Sequence, residues 1–132
     1  MALMLDTLEL DDQFEWIDEF AWDAVEQGQE RTLTGALVVQ EGLKLYGRPI
    51  TLAANGGVWT PLSVVRQLEA LRDQRGLVMP LTLPGGATHS VIFNRASGQA
   101  LEAKPIERLV EPGPDDPYEI TLRLITVAPP AP

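Results

Sequence analysis

No cysteine occurs among the 132 residues, which excludes disulfides, thiol nucleophiles, cysteine-based zinc sites and thiolate-held iron–sulfur clusters. Stability must come from packing or from neighbours. Histidine is nearly absent too: His89 stands alone, so a metal site or catalytic triad would need carboxylates and hydroxyls from elsewhere. At strand spacing with Val91 and Phe93 it reads as a structural histidine. No apolar run approaches the roughly 18 residues that a spanning helix needs. Met1 to Leu10 places no basic residue ahead of its apolar positions, so a secretory signal is not expected.

Positive charge is missing from the start of the chain. Asp6, Glu9, Asp11, Asp12, Glu15, Asp18, Glu19, Asp23, Glu26 and Glu30 all precede the first basic residue, Arg31, and this stretch holds nearly all of the net charge of −9. Such a field repels nucleic-acid phosphates. It fits a solvated acidic face, an interface with a basic partner, or the wall of a passage through which another polyanion slides without sticking. Length fits one domain with one core, and 45% hydrophobic and 22% charged residues are ordinary for a folded chain.

The aromatic residues are few and clustered: Phe14, Trp16, Phe20 and Trp22 are half of the total of eight. They share one parity, against Glu15, Glu19 and Asp23 on the other, which predicts a strand with an apolar and an acidic face. Arg31 to Gln40 reads as a further strand, with Gly35 marking a bulge or a close backbone approach. Leu43 to Leu52 is another, interrupted by Gly47, and Pro49 suits an edge or a strand start. Asn55-Gly56-Gly57 turns the chain.

One helix is predicted, at about residues 60–75. Thr60 is placed as its cap, Pro61 at its first position, and Gly76 as its stop in a left-handed conformation. Leu62, Val65 and Leu68 form its apolar stripe. Behind it, Met79 to Leu83 and Thr88 to Asn94 alternate on either side of Pro84-Gly85, which predicts a hairpin closed by a type II turn. Leu101 to Val110 reads as a strand, Glu111 to Pro117 as a polar loop, and Tyr118 to Val127 as the cleanest strand of all. The segment 128–132 is proline-rich. The expected fold is α+β, mainly β: a partly closed barrel or sandwich with one packed helix.

Motifs that carry chemistry are missing. Asp11-Asp12 and Asp115-Asp116 read as turns, without the ligand spacing of a calcium loop. Gly56-Gly57 and Gly85-Gly86 continue into neither a P-loop nor a dinucleotide fingerprint. Ser63 and Ser90 lack the glycines of a nucleophile elbow. The chain is therefore read as no enzyme and as holding no cofactor or metal.

The order of elements is more specific. "YGRPITL", a glycine turn, Trp59 opening a helix with "LSVVRQLEAL", then "LVMPLTLPGGATHSVIF", "LEAKPIERL" and "YEITLRLITV" together resemble the small tail and baseplate proteins of tailed bacteriophages. The resemblance covers residues 31–127 and implies a tail-tube-like β-barrel domain there. The acidic, aromatic N-terminal segment or arm at 1–30 and the proline-rich tail at 128–132 lie outside it, which leaves the role of the former open. The resemblance also implies a structural virion protein, assembled in the host cytoplasm into a homo-oligomeric ring with other tail or baseplate proteins. DNA would at most pass through the channel without being bound. Candidate interface residues are Phe14, Trp16, Phe20, Trp22, Arg48 and Trp59. A different class of function, an acidic inhibitor or immunity-type module that mimics DNA toward a basic protein surface, also fits the charge.

Overall fold

A computed structural model describes residues 3–11, 13–54, 58–96, 98–107 and 111–129. Three short strands come first: β1 (Leu3–Leu5), β2 (Leu8–Leu10) and β3 (Glu15–Trp16). Then come β4 (Val25–Arg31), β5 (Leu37–Leu43), β6 (Pro49–Ala53), β7 (Thr60–Pro61) and the helix α1 (Leu62–Arg72). The strands β8 (Met79–Thr82), β9 (Thr88–Phe93), β10 (Leu101–Pro105) and β11 (Pro117–Thr126) complete the order. The protein is mainly β with one helix. No helix among the described residues is long and apolar enough to cross a membrane.

β11 is the spine of the main sheet, and each of its edges is shared by two strands. On one edge Leu124 to Thr126 pair with β9, and Tyr118 to Leu122 pair with β10. On the other, Thr121 to Ile125 pair with β6, and Pro117 and Tyr118 pair with β7. Arg123 fills the break between β9 and β10: its N–H donates to the Ala100 carbonyl at 2.8 Å, and its own carbonyl accepts from Asn94 at 2.9 Å. The alternation read from the sequence is met here, since Ile120, Leu122 and Leu124 are fully buried while Glu119, Thr121 and Arg123 are half-buried.

The sheet runs β2-β1-β8-β9-β11-β6-β3. Laid flat, its outermost strands would lie about 29 Å apart at about 4.8 Å per strand. Yet β2 and β3 are joined by residues 11–14 alone, which reach at most about 17 Å at roughly 3.4 Å per step. The sheet must therefore roll up. No ladder joins β2 to β3 among the described residues, so it is not closed into a barrel. Leu3, Leu5, Leu52, Met79, Leu81, Val91 and Leu122 fill the concave side.

The helix covers one part of this core with Leu62, Val65 and Leu68. Its start differs from expectation. Pro61 occupies the N-cap position and no side chain caps the helix; Thr60 is instead buried in β7 opposite Tyr118. The first free N–H groups find backbone acceptors, Leu62 N on Asp116 O at 3.0 Å and Ser63 N on Pro114 O at 2.9 Å. The helix ends at Arg72, and Gly76, with φ of 73°, turns the chain beyond it.

Two strands expected from parity are broken by local hydrogen bonds. The Phe14 to Asp23 stretch is extended only at Glu15 and Trp16, because Asp18 Oδ1 accepts from Thr51 N at 2.9 Å and its Oδ2 from Thr51 Oγ1 at 2.7 Å. Arg31 to Gln40 is not one strand but the tip of a hairpin. Gly35, with φ of 87°, donates to Thr32 O at 3.0 Å, and Thr32 N donates to Ala36 O at 2.9 Å. The β8–β9 turn repeats this pattern at Leu83 to Ala87. Its left-handed residue is Gly86, not Gly85, so the expected type II turn is replaced by a β-turn without a positive φ at its centre, followed by a glycine bulge.

This redraws the expected segments. Residues 3–5 and 15–16 belong to the main sheet, through β1 with β8 and β3 with β6, and a boundary at residue 31 falls at the end of β4. The projecting arm is β4–β5. All its strand residues are exposed on both faces, and its ladder joins no other strand. The turn expected at Asn55-Gly56-Gly57 and the end of the strand expected to reach Val110 lie outside the described residues.

Leu122→Ala in the spine and Leu68→Ala in the helix should each cost about 2–5 kcal/mol in denaturant unfolding, from lost burial plus a residual cavity. Val39→Thr on the arm should change stability by no more than about 0.5 kcal/mol.

Candidate functional site

The rolled sheet has an open mouth, and side chains from strands far apart in the sheet meet there. Leu3 from β1, Trp16 from β3, Leu52 from β6 and His89 from β9 line one recess of about 580 Å³, together with Phe14, Arg48 and the β8–β9 turn. A second recess of about 330 Å³ adjoins it, lined by Trp22, Tyr46, Thr126 and Val127. Arg48 and His89 border both.

Register explains how Arg48 arrives between two tryptophans. β3 and β6 pair Glu15 with Ala53 and Trp16 with Leu52, and Ile17 N and the Asp18 carboxylate then bond to Thr51, so the turn that follows β3 lies over the start of β6, next to Arg48. Arg48 Nη2 donates to the Glu19 carbonyl at 2.6 Å. On its other side, Arg48 N donates to Thr126 Oγ1 at 2.9 Å and its carbonyl accepts from Thr126 N at 3.0 Å. The backbone of Arg48 is thereby clamped to the end of the spine strand.

Its guanidinium lies 4.5 Å from the Trp16 ring centre and 5.7 Å from that of Trp22. The stack continues at both ends. The Lys44 ammonium sits 5.2 Å from the Trp22 ring, and the His89 ring meets Trp16 edge-on at 6.2 Å, tilted by 74°. Lys44, Trp22, Arg48 and Trp16 thus form a column of alternating cationic and aromatic groups, closed at one end by the His89 ring. Partly desolvated cation–π contacts are worth about 0.5–2 kcal/mol each, which fixes the guanidinium plane more than it stabilises the fold. Two polar atoms in the column, Trp16 Nε1 and Arg48 Nε, are buried with no acceptor among the described residues.

Burial, and then the positive charge of Arg48, hold the His89 imidazole below its ordinary pKa. Neutral imidazole offers one donor and one acceptor and adds no positive charge to the column at neutral pH. Among the described residues no group of three or more His, Asp or Glu side chains is placed to hold a metal ion.

The six candidate interface residues separate into two sets. Phe14, Trp16, Trp22 and Arg48 meet at the mouth. Phe20 is 92% exposed and points away from the fold. Trp59, 59% exposed, borders a separate shallow recess with Leu10, Pro61 and Val64. Two members of the column were not legible as such. Lys44 carries no signal in the sequence beyond its charge, and His89 is brought in only by the rolling of the sheet. Comparison with known proteins finds no matching family model, no matching curated protein and no matching solved structure.

A histidine whose folded pKa is depressed binds its proton more weakly in the native state than in the unfolded one. Its contribution to stability is complete above the unfolded value of about 6.5 and is lost as pH falls from there through the folded value. NMR titration should therefore place the His89 midpoint below that of a model peptide. Arg48→Gln should move it upward by removing the charge, and His89→Gln should flatten the dependence of stability on pH just below about 6.5.

Proposed function

We propose that this protein is a structural component of a bacteriophage tail or baseplate, assembling as a ring around the tail tube or joining the tube to the baseplate hub. The observation that carries the proposal is the β4–β5 arm. It presents Val25, Leu37, Val39 and Leu43 on one face and Val38 on the other, with Leu33 fully exposed at its tip. A free two-stranded ribbon with exposed apolar side chains is marginal on its own. In a ring it becomes an arm that a neighbouring subunit covers, and heterologous contacts of that kind close rings. The rolled main sheet then serves as the partly closed barrel of a tail-tube-like unit, its seam lying between β2 and β3.

The acidic residues of the first segment favour this reading over a DNA mimic. Asp11 accepts from Gln13 N and Asp23 from Val25 N, each at 2.9 Å, while both oxygens of Asp18 are committed to Thr51. They act as turn formers, where a mimic needs carboxylates displayed as a regular array. The remaining acidic surface fits a channel wall along which DNA passes without binding.

The test is assembly itself. Light scattering and negative-stain imaging should show concentration-dependent ring-like oligomers, alone or on addition of the neighbouring tail proteins. Replacing residues 25–43 by a short Gly-Ser linker should leave a folded, strictly monomeric protein with an essentially unchanged midpoint of unfolding. Assembly that survives the loss of the arm would refute its role. A wild-type chain that stays monomeric with every tail partner would refute the whole reading.

A further inference from the structure

We propose that the mouth of the rolled sheet is a binding site for a carboxylate carried on a compact apolar group, with the Arg48 guanidinium as its anchor and the Trp16 indole N–H as a second donor. Three features of the recess lead there. Its volume of about 580 Å³ is that of a small-ligand site. Its floor is apolar, made by Leu3, Phe14 and Leu52, all buried. Its polar wall gathers Arg48, Trp16 and His89 on one side, beside Glu19, which also lines the recess and whose backbone carbonyl holds Arg48 Nη2.

The two orphaned donors decide the chemical class. A buried N–H without an acceptor loses its hydration and gains nothing in return, and such groups in a folded protein call for an explanation. Here two of them, Trp16 Nε1 and Arg48 Nε, belong to side chains stacked on each other. Both are donors only, and one is permanently cationic, so the missing partner is an acceptor and preferably an anion. A carboxylate matches the planar fork of arginine, whereas a cation or a donor-only group leaves both N–H groups unsatisfied. The Glu19 carbonyl and the Trp22 face hold the guanidinium in advance, which lowers the entropy lost on binding. Neither nitrogen is open to water. Binding therefore includes a small turn of the indole that brings its N–H to the recess, and Trp16 becomes the reporter.

Such a carboxylate comes either from a free aryl or branched-chain acid, or from an acidic residue beside an apolar one on another polypeptide. The chemistry is shared and the proposal does not depend on ring assembly. The experiment follows the three tryptophan indole N–H resonances of the intact ¹⁵N-labelled protein, with Trp16→Phe assigning the peak of interest. Phenylacetate and N-acetyl-Leu-Glu-amide are titrated in, with phenylacetamide and N-acetyl-Leu-Gln-amide as uncharged counterparts. A saturable shift of the Trp16 peak with an acid, and none with its amide, is the expected result. Tighter binding of phenylacetate identifies a free-acid site, and tighter binding of the peptide a polypeptide source. Arg48→Lys, which keeps the charge but loses the planar fork, should weaken the interaction by roughly tenfold or more. The absence of a saturable shift with either acid, or equal shifts with acids and amides, would overturn the proposal, and that comparison needs only the wild-type protein.

Discussion

A four-residue link between the two ends of one sheet is the constraint on which the rest of the molecule depends. β2 and β3 are the outermost strands of the main sheet, yet the chain passes from one to the other through residues 11–14. Strand spacing and the reach of a polypeptide then leave only a rolled sheet. Rolling gives the leucines of β1, β6 and β11 a common interior, and it creates the mouth where β1, β3, β6 and β9 converge. Without that curvature Trp16 and His89, on strands separated by β6 and β11, would not meet. Core and site are two results of a single geometric requirement.

The parts of this arrangement that were legible in the sequence are those fixed by short-range periodicity. The β11 alternation, the apolar stripe of α1, the β8–β9 hairpin and the strand start at Pro49 all follow from patterns within about ten residues. The errors arose where a side chain overrode the pattern. Asp18 bonds to Thr51, and a stretch with clean strand parity becomes a turn. Thr32 accepts from Ala36 N through its hydroxyl at 3.1 Å, and an apparent strand folds back on itself. Thr60, a good capping residue by type, is taken by β7, while the backbone of the 111–117 loop supplies the acceptors that a cap would have provided. Four of the six interface candidates converge because aromatic clustering does carry information. Their convergence on Arg48 comes from register, which no local pattern encodes.

The arm obeys different physics from the body. Ordering the backbone of each residue costs about 1–2 kcal/mol, and in the body burial offsets this. In β4–β5 nothing is buried, so the ribbon rests on its seven-residue ladder, the Gly35 turn and side-chain bonds such as Gln27 to Glu41 at 3.1 Å. These define its shape without making it rigid. Apolar residues on such a ribbon contribute little to the stability of the isolated chain, which is the feature that the proposed ring contact draws on.

The mouth shows the opposite economy, with order in excess of what folding requires. Arg48 is held by backbone bonds to Thr126, by the Glu19 carbonyl and by two indole faces. Even so, two donors in this assembly lack acceptors among the described residues. A protein core gains more from an apolar residue than from an arginine whose hydrogen bonds are incomplete. An arginine fixed so firmly yet left partly unsatisfied is better explained by an anion that it meets than by the stability of the sheet. In a chain of net charge −9 Arg48, beside a neutral histidine, sets a positive charge at the mouth, with Lys44 one tryptophan further along the column. That contrast gives an incoming carboxylate a local point of attraction on a chain whose net charge repels it as a whole.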